Sequence, residues 1–167
     1  MYRLFSVALL ATAVLMVSFG VADSATDTET LIINATVAAR AKLEISPTTI
    51  NFADADPDLV DPIPATESPV SVNVKVRTTS GGAVTLICLA NGDLQSGGDV
   101  IGIDNVTWTA TGGGFVNGTL SNSAAQSVGS WTGSGNRSGT LDFFLGNSWD
   151  FNVGNYTQTV DYTLTAP

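Results

Sequence analysis

The sequence predicts an all-β fold: a single immunoglobulin-like antiparallel β-sandwich of about seven to nine strands, behind an N-terminal signal peptide. Three observations carry that prediction. Apolar and polar residues alternate over many short segments, as they do where a strand has one dry face and one wet face. Gly, Pro, Ser and Asn clusters separate those segments. After the first 22 residues, no segment sustains the 3.6-residue period of a helix.

The opening residues read as an export signal. Met1-Tyr2-Arg3 is a short positive start, Leu4 to Val21 is apolar, and Gly20-Val21-Ala22 offers a small-x-small cleavage pattern. A second cleavage position lies after Ala25. A membrane helix of about eighteen residues is the competing reading. The cleavage pattern, with no basic stop-transfer cluster after it, favours removal and leaves no membrane segment. Residues 23–30 (DSATDTET) form an acidic, flexible leader, and residues 31–167 form the sandwich domain.

Leu31 to Ile45 (LIINATVAARAKLEI) alternates throughout, with every odd position apolar. At about 3.3 Å per residue it would span about 50 Å, against a usual strand length of about 3–10 residues. Either it bends to serve two sheets or its leading half pairs with another molecule. Leu43 and Ile45 lead through Ser46-Pro47 into the domain. Leu31, Ile33, Ala35 and Val37 are the part free to pair elsewhere, as a possible donor strand over 31–37.

Thr49 to Phe52 is a short strand with Ile50 and Phe52 inward. Ala53 to Pro69, with four prolines and five acids, is a long loop. Val70 to Thr78 sets four valines against Ser71, Asn73, Lys75 and Arg77, a half-buried antiparallel strand. Ala83 to Ala90 is apolar on both faces, as in a central strand or one covered by a partner. Asn91 to Gly98 is a polar loop and Val100 to Ile103 an edge piece. In the next strand Val106, Trp108 and Ala110 face inward, and Phe115 to Leu120 forms another. Ser121 to Gly139 is a long Ser/Gly/Asn loop carrying Trp131. Leu141, Phe143 and Leu145 point inward from Thr140–Leu145. Tyr156 to Thr165 closes the domain.

Composition narrows the chemistry. The chain has no His, one Cys, six Lys and Arg and fifteen Asp and Glu. Removing Arg3 leaves five bases against fifteen acids, net −10, with no electrostatic footprint for nucleic acid. Without His, the usual triad and every His-bearing metal site are excluded. Cys88, in an apolar strand, reads as a core thiol and leaves no disulfide framework. No catalytic residue and no cofactor is expected, and the chain does not read as an enzyme.

Asp54, Asp56, Asp58 and Asp61 are weak metal candidates, since alternating carboxylates open a calcium loop. Leu59 stands where its turn glycine belongs, Ala65 stands in place of the bidentate Glu, and Pro57 stiffens the middle. Trp131 is the candidate for stacking a sugar ring. Sequons occur at Asn34, Asn105, Asn117, Asn136 and Asn155.

Ala35 to Phe52 (ATVAARAKLEISPTTINF) resembles the start of exported fimbrial and spore-coat-U-like β-sandwich subunits. Gly154 to Leu164 (GNYTQTVDYTL) resembles their final strand. The pattern departs from them at Ala166, where a penultimate Tyr is favoured, at Ala53, where a Gly often follows the Phe, and in having a lone cysteine. The resemblance implies an incomplete sandwich whose missing strand comes from the N-terminal extension of the next subunit. It implies self-association into a filament with a periplasmic assembly chaperone, and an extracellular, cell-surface location, reached through the periplasm in a Gram-negative cell. The expected function is therefore a secreted structural subunit. The alternative is a carbohydrate- or calcium-dependent adhesion module.

Overall fold

The computed structural model describes residues 25–167; the expected signal sequence lies outside them. The chain divides into two units after Ala35. Residues 25–35 of the first carry no regular secondary structure, and their side chains are exposed. The second unit, Thr36–Pro167, is an antiparallel β-sandwich.

Its strands are β1 (Arg40–Ser46), β2 (Ile63–Pro64), β3 (Val70–Arg77), β4 (Ala83–Ala90), β5 (Leu94–Ser96), β6 (Asp99–Ile101), β7 (Val106–Thr111), β8 (Gly118–Thr119), β9 (Gln126–Thr132), β10 (Gly135–Leu145) and β11 (Val160–Thr165). One sheet runs β1-β3-β10-β7-β8, with β2 pairing β10 beyond the end of β3. The other runs β11-β4-β9, and β5-β6 is a separate hairpin. All the ladders among the described residues are antiparallel.

The core lies between the sheets. Val72 and Val74 of β3, Leu141 of β10 and Trp108 of β7 meet Val84, Leu86 and Cys88 of β4 and Val128 of β9, all at most 2% exposed. Each fully buried Val or Leu contributes about 1.5–3 kcal/mol. Alternation produces this directly, because in β3 the valines are buried while Ser71, Lys75 and Arg77 are exposed.

Cys88 is part of this core, and burial pushes its thiol up to about 11 from 9.0. Tyr162 stands opposite it in the β11–β4 ladder. Its phenol is pushed up by burial first and by the Cys88 charge second. A raised thiol pKa keeps the folded state neutral where the unfolded chain has begun to ionise. Its contribution to stability is therefore intact below about pH 9 and is lost as the pH climbs through about 11. Urea titrations from pH 7 to 11 should show a steeper alkaline loss than in Cys88→Ala. At pH 8 a thiol reagent should modify Cys88 only after unfolding.

Leu31 to Ile45 divides, and β1 begins at Arg40. The reason is the partner. β1 pairs β3 from Arg40↔Arg77 to Ser46↔Ser71, and β3 ends at Arg77, so the ladder has nowhere to continue. Four sequence expectations are corrected. Within Ala53–Pro69, expected as a loop, Ile63 and Pro64 form β2, and the Ala65 N–H donates to the Phe143 carbonyl at 2.9 Å. Phe52 makes only an isolated bridge to Ala65. The Ser121–Gly139 segment contains β9 and the start of β10. Its small polar residues conceal a strand whose Gly129 lies under the Trp131 ring, where a larger side chain would not fit. The last strand begins at Val160 rather than Tyr156.

Candidate functional site

The two long flanks of the sandwich differ. One is closed. After β7 the chain crosses between the sheets, so the Val116 N–H donates to the Val128 carbonyl at 3.0 Å and the Ser130 N–H to the Gly114 carbonyl at 2.9 Å. The crossing needs Gly114, with φ +85°, where a Cβ would meet the Ser130 carbonyl at 2.8 Å. Indole N–H groups add two pins: Trp108 donates to the Val116 carbonyl at 2.8 Å and Trp131 to the Gly113 carbonyl at 2.7 Å. Phe115 is buried there, edge-on to Trp131 with ring centroids 4.9 Å apart.

The other flank is open. Among the described residues, β1 pairs only β3 and β11 pairs only β4. The two edge strands pass near each other but share no ladder. Their inward side chains are half-buried where those of the inner strands are fully buried: Leu43, Ile45, Ile50 and Phe52 on one side, Val160, Tyr162, Leu164 and Ala166 on the other. β11 carries few of the usual protections of an edge strand, with Asp161 its one charge. It has no Lys, Pro or Gly, and its outward residues are Asp161, Thr163 and Thr165.

The directions of the two edges follow from their ends. Arg40 opens β1 opposite Arg77, and Thr78, next after β3, donates its hydroxyl to the Pro167 carbonyl. The end of β11 therefore lies at the end of the sandwich where β1 begins, and the two edges run in opposite directions.

Among the described residues, the four sequence-predicted interaction residues have no partner strand. Leu31 and Ile33 are each 83% exposed, and Ala35 and Val37 are exposed as well.

Trp131 is not in a loop. It lies in β9, half-buried and committed to Phe115 and Gly113, so the indole available to solvent is Trp149, 70% exposed with its N–H 3.1 Å from Asp58 Oδ1. The aspartates of the acidic loop hold that loop. Asp56 accepts from the Asp58 N–H at 3.0 Å, and Asp61 accepts from the Asn147 N–H at 2.9 Å. Among the described residues no group of three acidic, His or Cys side chains converges to hold a metal ion, and no helix is long and apolar enough to cross a membrane. Of the sequons, Asn34, Asn117, Asn136 and Asn155 are exposed, and Asn105 is half-buried with its amide on the Gly102 carbonyl.

No family model matches the chain, and no curated protein matches it. The class that fold and site define is an all-β sandwich with one closed flank and one open flank.

Proposed function

We propose that the protein is an exported structural subunit that assembles at the cell surface by strand donation. The N-terminal extension of one copy adds to the free edge of β11 in the next. The observation that carries this reading is a match between two unfinished features. The open flank has half-buried apolar rows on both rims, and the extension has a period-two apolar row, Leu31, Ile33, Ala35 and Val37, that is exposed. An added strand would satisfy the unpaired backbone of β11 while its alternate side chains enter between the sheets. Addition in the antiparallel sense, the sense of every described ladder, sets the direction. A strand antiparallel to β11 starts at the Arg40 end of the acceptor and leaves at the far end, where the body of its own subunit follows. The contact is head-to-tail and does not close, so it yields a filament.

A peptide of residues 25–39, labelled and added to a chain shortened to Arg40–Pro167, should bind and raise the thermal midpoint. Ile33→Asp in the peptide should abolish both effects, because a carboxylate would be driven between the sheets without a partner. Equal binding by the Ile33→Asp peptide would remove the proposal.

A further inference from the structure

Every base in the described chain lies at one end of the sandwich: Arg40, Lys42, Lys75, Arg77 and Arg137. Four of them share the outer face of β1 and β3, in an order that isolated stability does not favour. Arg40 stands directly opposite Arg77, and Lys42 directly opposite Lys75. Like charges facing each other across a ladder repel. Glu44 relieves them in part, with Lys42 Nζ at 2.5 Å and Lys75 Nζ at 4.0 Å, and this pairing holds its carboxyl below the usual range. Arg40 and Arg77 have no carboxylate within salt-bridge distance among the described residues. A chain with ten more acids than bases after Arg3 has thus gathered its cations on one exposed patch.

The acids mark the opposite end. β1 leaves Arg40, passes Ser46 and continues by Ile50 and Phe52 to the loop carrying Asp54, Asp56, Asp58 and Asp61. β10 runs the same way, from Gly135 beside Val76 to Leu145 beside Ile63, and Asn147 then ties the far end to the loop through Asp61. The eleven residues of β10 separate the two poles by about 35 Å.

We propose that this basic face is a docking surface for a second copy of the chain, and that its occupant is the acidic 53–62 loop of that copy. The inference rests on the strand-donation reading for its geometry. The extension leaves its own body at Arg40 and enters the preceding subunit from the end that carries the acidic loop. The basic pole of each copy therefore arrives against the acidic pole of the one before it. The charges steer that approach and reject the reversed, like-against-like orientation.

Charge reversal in the full chain tests this. Lys75→Glu with Arg77→Glu should slow assembly about tenfold to a hundredfold at low ionic strength, read by light scattering. Asp54→Lys with Asp56→Lys should do the same. The second pair spares the Asp58–Trp149 and Asp61–Asn147 bonds, and circular dichroism checks that both variants are folded. An equimolar mixture of the two variants should recover to within about twofold of the wild-type rate, since unlike copies then meet with opposite charges. A mixture no faster than its parts overturns the docking contact. Recovery of Lys75→Glu/Arg77→Glu by Asp27→Lys with Glu29→Lys instead makes the acidic leader the occupant, and overturns the loop. Ile33→Asp separates this proposal from strand donation. If it stops assembly in every charge background while the mixture fails to recover, donation stands and docking falls. If it leaves assembly intact while the mixture still recovers, donation falls and charge docking remains.

Discussion

A chain shortened to Arg40–Pro167 is expected to remain a folded monomer and to lose assembly completely. The body keeps all eleven strands and the whole buried core, so its far-ultraviolet spectrum should match that of the full chain. What it lacks is the apolar row on residues 31–37. Each of Leu31, Ile33 and Val37, when buried in a neighbour, would contribute about 1.5–3 kcal/mol, and an added strand contributes main-chain hydrogen bonds besides. Losing all of these together leaves only exposed charge contacts between successive copies, too weak to hold them at ordinary concentrations. Sedimentation velocity over a concentration series is the check. A shortened chain that still polymerises, or one that unfolds, would mean the extension is not a strand given to a neighbour.

Trp108→Ala should have the largest effect on the body itself, a loss of about 3–5 kcal/mol. The indole is 2% exposed, lies with its ring centroid 6.3 Å from that of Phe143, and covers Gly118. It also donates to the Val116 carbonyl. Its removal therefore opens a cavity and releases the crossing that closes one flank. For a domain of this size the thermal midpoint should fall by about 10–20 °C. Trp131→Ala, at a half-buried ring on the same flank, should cost less, and scanning calorimetry of the two variants orders them. A larger loss at Trp131 would mean that the outer rim, and not the indole beneath it, holds the flank together.

Much of the body was legible because its strands are amphipathic. The valines of β3 and the Val106–Trp108 pair of β7 announce their buried face by alternation alone, and Cys88 reads as core from its apolar neighbours. β9 was hidden, because QSVGSWT has the composition of a loop. Its strand character comes from β4 on one side and the 114–116 crossing on the other, and local sequence records neither. For the metal and sugar candidates, local sequence does not record the partners: Asp58 accepts from the Trp149 indole, Asp61 from the Asn147 N–H, and the Trp131 indole donates to the Gly113 carbonyl.

The sequence by itself determined the class of fold and the two rows of apolar residues at its beginning, since the side-chain period of a strand is written in every pair of neighbours. Only the tertiary structure decided that the first row stops being a strand at Arg40. Pairing is a property of two segments, and β3, the partner, ends at Arg77. The same holds for the open flank and for the two charged poles. Leu43 and Leu164 are set on the two rims of one flank, and Arg40 opposite Arg77, by a topology that no local pattern specifies.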